Sequence, residues 1–391
     1  MFHHHQPLCF PEHMFCPNPS CPNHQPTDLS WFRKRGTYST LAHGTVQRFK
    51  CQTCNRGFSN QTFHISYKSH SRPHLLSIIN RLSNGGGLRK TAIELNIHRN
   101  CLANWTGRIA RKCLAIHERS LESVQLEENV VIDGFETYTH SKYFPAHLTL
   151  MCGSASQFVY DMDYALMHRK GIMSKNQKIK NEYLKASYPI PSKTISRSIT
   201  DLMNLTNRLF DSGKLAKLTI YSDEHPFYSP AMKDQKIARQ RLSTKKYIHK
   251  QINSQLPRTT KNLMFPANYL DKLIRKDLAS HARQTSQCGK NVNHQMWRFA
   301  VYQFSHNYMK DYRINDCPKN PTTGQKQTHG GAAGIDYRQE MDPSSADFHY
   351  LDRLSRMARP WMSKAGLKTW LACRYTPGLE GMALQPQFIN R

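Results

Sequence analysis

Apolar side chains recur at helical spacing in the first third of the chain. Leu75, Ile78, Ile79 and Leu82 stand at positions i, i+3, i+4 and i+7, which places them on one face of a helix. The sequence Asn-Gly-Gly-Gly at 84–87 follows directly, and such residues end helices and form turns. The pattern therefore predicts a short amphipathic helix and a tight turn.

Two more short helices are predicted after this turn. In "LRKTAIELNI" (88–97) and "HRNCLANWTGRIARKC" (98–113) the apolar residues again share one face. The outer face of the third helix carries side chains that can bond to bases and phosphates, namely Arg99, Asn100, Asn104, Arg108 and Arg111. This pattern is typical of a helix-turn-helix whose last helix enters the major groove of DNA. A plain three-helix bundle with a solvated basic face is the alternative.

Strand-like patterns begin near residue 128. The first run, "ENVVIDGFETY", predicts a buried strand with Asp133 near its end. Later elements follow in the order strand, strand, helix, helix, strand, at 146–153, 157–166, 174–186, 195–211 and 217–223. The last of these strands ends in Asp223. Three antiparallel strands, a helical crossover and an acid-tipped fourth strand are the order expected of a ribonuclease-H-like domain. The predicted fold class is therefore α/β, with a mixed sheet flanked by helices.

Two central strands that each deliver an aspartate indicate one shared site. A lone buried carboxylate is costly, and two neighbouring carboxylates repel each other. A divalent cation removes both penalties, and oxygen ligands of this kind suit Mg²⁺ or Mn²⁺. The alternative is that Asp133 and Asp223 cap a strand end or a following helix.

A third acid is expected from the helical pattern "FPANYLDKLIRKDLASHARQT" (265–285). Its acids are Asp271 and Asp277. Six residues correspond to about 600° of helical rotation, so the two side chains face different directions. Only one of them is expected to point at the metal site.

Four cysteines form two pairs at the N-terminus, Cys16 with Cys21 and Cys51 with Cys54. Two pairs on tight turns, separated by strand-like basic and aromatic sequence, predict a zinc ribbon with a tetrahedral thiolate site. Cys9 or His24 can replace Cys16 or Cys21 as a ligand in this interpretation. Four free cysteines are the simpler alternative.

The charge of the chain indicates its partner. The 391 residues contain 55 Lys and Arg against 27 Asp and Glu, a formal charge of +28, and nucleic acid is the commonest partner of so basic a protein. The sequence has no apolar run of about 18 residues, which predicts no spanning helix, and its first residues do not form a secretory signal. Most of the 11 cysteines are scattered, which favours a reducing cytosol.

Several motifs together resemble the transposases of the bacterial insertion-sequence-one family. The zinc segment "CPNPSC … QRFKCQTCNRGFS" and the helix-turn-helix "GLRKTAIELNIHRNCLANW" are similar to the family's DNA-binding part. The blocks "VVIDGFETYTHSK" and "IYSDEHPFY" resemble its first two catalytic blocks, and "YLDKLIRK … RQT … KNVNHQM … HNY" resembles the third. The resemblance runs from about residue 14 to 313.

The resemblance implies a DDE-type transposase. Its metal ligands would be Asp133, Asp223 and, by position, Asp271, where the family usually has Glu; Asp277 is the alternative third ligand. Lys272 or Arg275 would contact the DNA backbone, and His225 would either touch the scissile phosphate or pack. The implied reaction is Mg²⁺- or Mn²⁺-dependent cleavage at the element ends, followed by attack of the freed 3′-OH on target DNA. The implied partners are the terminal inverted repeats, target DNA and further copies of the chain, without a membrane, in the bacterial cytoplasm at the nucleoid.

The predicted domains follow from these assignments. They are a zinc ribbon at 1–70, a helix-turn-helix at 71–120, a ribonuclease-H-like catalytic domain at 125–313, and a linker with a helical tail at 314–391. The Gly-, Pro- and Thr-rich stretch 317–345 predicts a flexible linker or loop. Apolar residues of the tail follow a helical rhythm, at Phe348, Leu351, Leu354, Met357 and Trp361. Two other functions remain open: a transposase-derived DNA-binding protein without catalysis, and a zinc-stabilised transcription regulator.

Overall fold

The computed structural model describes residues 14–67, 69–70, 74–139, 141–187, 190, 192–282, 289, 292–319 and 324–352. The predicted ligand Cys9 and the tail positions Leu354, Met357 and Trp361 lie outside these residues. Over the described residues the chain is a mixed α/β protein with two sheets.

The N-terminal segment forms a small three-stranded antiparallel sheet. Its strands are β1 (Phe32–Thr40), β2 (Gly44–Cys51) and β3 (Gly57–Ser59), in the order β1-β2-β3. They enclose a separate aromatic core in which the Trp31 ring stacks on Phe58 at 5.3 Å. Strands were predicted in the basic and aromatic sequence between the two cysteine pairs, and β1 and β2 confirm this prediction.

Three helices follow the small sheet. They are α1 (Leu75–Ser83), α2 (Leu88–Glu94) and α3 (Arg99–Ser123). The turn between α1 and α2 requires glycine, because a Cβ on Gly86 would lie 2.2 Å from the Arg81 carbonyl oxygen. The predicted short third helix is wrong in length: α3 has 25 residues. Buried residues continue along it past Arg108 to Leu121, so the apolar face does not stop at the end of the helix-turn-helix.

The larger sheet has five strands. They are β4 (Val130–Tyr138), β5 (Pro145–Gly153), β6 (Val159–Leu166), β7 (Leu218–Asp223) and β8 (Tyr247–Ile252), in the order β6-β5-β4-β7-β8. The first three strands are antiparallel, and β7 and β8 run parallel to β4. The position predicted for Asp133 near the end of its strand is wrong. Asp133 is the fourth of nine residues in β4, because antiparallel pairing with β5 continues as far as Tyr138.

Among the described residues, eight further α-helices follow α3, and some of them cover the two faces of this sheet. They are α4 (Lys175–Ser187), α5 (Thr194–Ser212), α6 (Tyr228–Asp234), α7 (Lys236–Ser243), α8 (Phe265–Asp277), α9 (Val292–Tyr308), α10 (His329–Ala332) and α11 (Ala346–His349). On one face, Ser198 and Thr206 of α5 bond to β5 side chains. On the other face, Phe299 of α9 stacks on Phe135 of β4.

The three helices α1, α2 and α3 and the large sheet share one hydrophobic core. Apolar residues of α1 and α3 belong to the same buried cluster as the sheet and α9. The approach of α3 to α9 is close, since a Cβ on Gly107 would lie 3.0 Å from the Trp297 ring. Over the described residues, α3 is therefore packed directly against the sheet domain.

The segment after residue 324 packs back on the protein. Arg119 of α3 forms ion pairs with Glu340 and Asp352, and the buried Lys112 lies 3.8 Å from Glu340. Phe348 is fully buried beside Phe304, and Leu351 donates its N–H to the Phe63 carbonyl at 2.7 Å. The stretch is a loop with short helices, as its composition predicts, but ion pairs and apolar contacts hold it in place.

Candidate functional site

Asp133 and Asp223 lie side by side on neighbouring strands. In the parallel pairing of β4 with β7, Val131 is opposite Tyr221, and each aspartate follows two residues later on its own strand. Side chains two residues apart point to the same face, and neighbouring strands lie about 4.8 Å apart. The ladder pairing ends at Val131, so the aspartates stand where β4 and β7 separate.

Asp271 reaches the same place from α8. All three aspartates line one cleft with a volume of about 830 Å³. Helix α8 packs against β4 and β5. The three acids that the sequence assigns to one site therefore share one cleft, although they are distant in the chain.

Burial strongly affects Asp133. Removal of the carboxylate from water raises its pKa to about 7, and the neighbouring Asp223 and Asp271 add to the increase. A hydrogen bond from the Gly134 N–H, at 2.8 Å, and the positive charge of Arg258 oppose it. A cation at this position would favour the ionised form, because it would supply the positive charge that the burial requires.

Cationic side chains surround the acids in the cleft. The lining residues with positive charge are Lys142, Arg169, Lys170, Arg258 and Arg275. They come from the β4–β5 turn, the segment after β6, the loop after β8, and α8. Sequence patterns did not predict Lys142, Arg169, Lys170 and Arg258 as site residues, because basic residues are common throughout this chain and only the fold brings these four together.

Arg275 is held inside the protein. Its Nε donates to Asp271 Oδ1 at 2.8 Å, its Nη1 donates to the His281 carbonyl at 3.0 Å, and its guanidinium lies over the Phe135 ring. The same arginine was a predicted contact to the DNA backbone. In this structure its hydrogen bonds position Asp271 instead.

The three carboxylates do not form a metal-sized cluster in this structure, because among the described residues only the cysteine quartet brings three or more ligand atoms within 4.8 Å of one another. Asp133, Asp223 and Asp271 offer only oxygen, which Mg²⁺ and Mn²⁺ prefer. Asp223 Oδ1 accepts from the His225 N–H at 3.0 Å, and Asp271 Oδ1 accepts from Arg275. Each contact uses one oxygen, so each of these two carboxylates keeps a second oxygen for a cation.

Asp277 lies elsewhere. Its carboxylate is buried and forms an ion pair with Lys310, which lies in the segment after α9; the distance from Oδ2 to Nζ is 2.9 Å. It does not line the aspartate cleft. Between the two acids of α8, the geometry favours Asp271 as the third member of the site.

His225 packs among rings rather than facing the cleft. Its ring contacts Phe227 at 4.9 Å and Tyr228 at 6.1 Å, and it lies 6.2 Å from His147. Of the two predicted roles, packing agrees with these contacts.

The four N-terminal cysteines form the second candidate site. The sulfur atoms of Cys16, Cys21, Cys51 and Cys54 all lie within 4.8 Å of one another. The Cys16–Cys54 distance is 3.4 Å and the Cys21–Cys51 distance is 3.8 Å. A tetrahedral zinc site with Zn–S bonds of about 2.3 Å requires S–S distances of about 3.8 Å. The quartet therefore fits a structural metal such as zinc.

The alternative ligand His24 does not join the quartet. Its Nδ1 is paired with the Cys16 carbonyl oxygen at 2.8 Å. Within the quartet, burial opposes ionisation of Cys51, but hydrogen bonds from the Cys54 N–H and the Asn23 amide lower its pKa to about 6. Burial raises the pKa of Cys16 and of Cys21, so these two thiols would need a bound cation to ionise.

The predicted DNA-reading face of α3 divides into two parts. Arg99, Asn100 and Asn104 are exposed near the start of the helix. Arg108 is partly buried, donates to the Ile65 carbonyl at 2.9 Å and lies over the Trp105 ring. Arg111 is also partly buried. The geometry leaves the first turn and a half of α3 exposed and gives Arg108 a structural contact.

Comparison with known proteins gives no relative. No protein-family model matches the chain, and no curated protein matches its sequence. Among the helices of the described segments, none combines the length and apolar character needed to cross a membrane. The functional inference therefore rests on the residues and their geometry.

Proposed function

We propose that this chain is a DDE-type DNA transposase that cleaves phosphodiester bonds at the ends of a mobile element and joins the freed 3′-OH to target DNA. One observation carries the proposal: Asp133, Asp223 and Asp271, from β4, β7 and α8, line one cleft surrounded by cationic side chains. Phosphoryl transfer requires concentrated anionic ligands for metal beside positive charge for phosphate.

The sheet order supports a ribonuclease-H-like core. Strands β4, β5 and β6 are antiparallel, β7 and β8 run parallel to β4, and β4 is the central strand of the five. This is the arrangement of that class. The first two acids lie on its adjacent central strands. The proposed class agrees with the resemblance to insertion-sequence-one transposases in the sequence motifs.

Each group in the cleft has a distinct role in this proposal. The three aspartates hold Mg²⁺ or Mn²⁺, which would activate the attacking oxygen and stabilise the leaving oxygen. Arg275 orients Asp271 through their 2.8 Å hydrogen bond. Lys142, Arg169 and Arg258 bind the phosphates on either side of the scissile bond. Neither step needs a covalent enzyme intermediate, so no nucleophilic side chain is assigned.

The DNA-binding part completes the proposal. The first turns of α3 present Arg99, Asn100 and Asn104 to the major groove, and the zinc ribbon adds a second contact region. The charge of +28 favours binding to duplex DNA. Two element ends must meet for joining, so we infer that copies of the chain assemble on DNA in the bacterial cytoplasm.

A strand-cleavage and joining assay tests this function. The substrates are the genomic segments that flank the gene on either side, with Mn²⁺ and a supercoiled target plasmid. Wild-type protein is expected to nick the element end and join it to the plasmid. Asp133→Asn, Asp223→Asn and Asp271→Asn are each expected to abolish both steps, while Asp277→Asn retains them. Full cleavage by Asp133→Asn would refute the proposal.

A DNA-binding protein without catalysis is the second candidate. The observation that favours it is the ion pair of Asp271 with Arg275, which occupies one oxygen of the third acid. In that case the wild-type protein would bind the flanking segments but would not cut them with Mg²⁺ or Mn²⁺. The same assay, with a binding measurement beside it, separates the two functions.

A further inference from the structure

Helix α4 is the most exposed of the long helices that the structure describes. Ten of its thirteen residues are exposed, and Asn181 is its one buried residue. Isolated helices of about this length are marginal in water, and a helix gains most of its stability from a packed face. The exposure of α4 therefore points to a partner that covers it.

The exposed face of α4 is basic. Lys175, Lys178 and Lys185 project from it, with Glu182 as the one acid in the helix. Ile179 and Tyr183 lie among them and are 58% and 60% exposed. The three lysines make no ion pair among the residues that the structure describes.

The position of α4 connects it to the aspartate cleft. Arg169 and Lys170 lie in the segment between β6 and α4, and both line that cleft. Arg169 donates to Gln177 of α4 at 3.2 Å, and both Arg169 and Lys180 lie over the Tyr143 ring. Arg169 and the Tyr143 ring therefore connect the cleft to Gln177 and Lys180 of α4.

We propose that Lys175, Lys178 and Lys185, together with Arg169 and Lys170, form a phosphate-binding surface for duplex DNA that runs out of the aspartate cleft. This set is named the α4 surface. The inference rests on the proposed function, since it extends the DNA path of the same site. A helix of 13 residues is about 20 Å long, which corresponds to about six base pairs of duplex.

Charge decides between DNA and a second copy of the chain as the partner of this face. A symmetric contact between two α4 helices would place lysines against lysines in a protein of charge +28. A DNA backbone supplies the opposite charge. The exposed Ile179 and Tyr183 can contact sugar edges beside the phosphates.

The salt dependence of DNA binding tests the α4 surface. The probe is a 40-base-pair duplex of random sequence, bound without divalent metal so that cleavage plays no part. Each phosphate contact contributes about 0.9 to the slope of log K against log salt. The triple variant Lys175→Gln/Lys178→Gln/Lys185→Gln is expected to lower this slope by about 2 to 3.

Three lysines at the other end of the parallel strands provide a charge-matched control. Lys217, Lys245 and Lys246 are exposed and precede the parallel strands β7 and β8, whereas the cleft lies at their other ends. The triple Lys→Gln variant there is expected to keep the wild-type slope. A Lys→Arg triple on the α4 surface is also expected to keep it, because the charge remains. Melting curves check that all variants are folded.

Two results would overturn the inference. One is an equal slope for the α4 variant and the control. The other is a loss of self-association in Ile179→Ser/Tyr183→Ser, measured by sedimentation without DNA, which would make this face a contact between copies. Failure of the proposed function looks different, since wild-type protein would then cut no DNA whatever the slopes are.

Discussion

Asp133 shows how a single residue can be unfavourable for folding and suited to a site. Its pKa is raised to about 7 by burial and by the two neighbouring aspartates. An unfolded aspartate has a pKa of about 3.9, so between about pH 4 and 7 the unfolded chain ionises first. The stability contributed by this group is therefore present below pH 4 and is lost as the pH rises to 7.

Asp133→Asn is expected to stabilise the protein without divalent metal at pH 8. The gain is at most about 4 kcal/mol, at 1.36 kcal/mol per pKa unit, and partial exposure to the cleft reduces it. At pH 4 the gain should vanish, because the aspartate is then protonated. Thermal melting at both pH values measures the difference. A lower melting temperature for the variant at pH 8 would instead indicate a structural cap, which contributes roughly 0.5–2 kcal/mol.

Asp277→Asn is expected to act on stability alone. The Asp277 side chain is buried in its ion pair with Lys310. The substitution removes the negative charge and so leaves Lys310 without its ionic partner. A lost hydrogen bond to a charged group costs about 1.5–3 kcal/mol. Urea unfolding of Asp277→Asn beside Asp271→Asn measures the contrast. A neutral effect of Asp277→Asn would show that Lys310 finds water instead.

At the scale of elements, the four-cysteine sheet is expected to depend on its metal. Metal binding supplies folding free energy in zinc domains, and this sheet has an aromatic core separate from the main one. Cys54→Ser is expected to reduce zinc to below one ion per chain and to make residues 14–63 sensitive to protease while 74–352 stays resistant. Cys101→Ser, at an exposed cysteine of α3, is the matched control. Equal zinc content in both variants would contradict the assignment.

The contact of α3 with the sheet domain is expected to make the stability of the folded protein sensitive to acid. His117 of α3 donates to the Tyr160 carbonyl at 3.0 Å and accepts from the Tyr308 hydroxyl at 2.8 Å. Burial lowers the pKa of His117 to about 4. As the pH falls, the unfolded chain therefore takes up a proton at this histidine before the folded protein does. The stability from neutral His117 is present above about pH 6.5 and is lost as the pH falls towards 4.

His117→Gln is expected to flatten part of this acid loss. Between pH 6.5 and 4.5 the wild type should lose about 2–3 kcal/mol more than the variant, from the same free energy per pKa unit. Urea unfolding across this range provides the comparison. Other buried histidines, such as His147 and His281, also have lowered pKa values and will keep a residual slope in both proteins. Identical slopes would show that His117 does not titrate with unfolding.

At the scale of the whole molecule, local patterns predicted most elements. The face of Leu75, Ile78 and Leu82, the acid-tipped strand at Asp223 and the two cysteine pairs were read from spacing, because each depends on neighbours in the chain. The length of α3 was missed because its second half is buried against α9, a distant partner. Arg258 was not predicted as a cleft residue because its neighbours in the cleft are distant in the chain.

In the proposed function, Asp133, Asp223 and Asp271 together bind a divalent cation. Titration of zinc-loaded protein with Mn²⁺, followed by electron paramagnetic resonance of the free ion, tests it most directly. Bound Mn²⁺ is expected in the wild type and in Asp277→Asn, with at least a tenfold weaker affinity in each of the other three Asn variants. Wild-type affinity in Asp133→Asn or Asp223→Asn would contradict it.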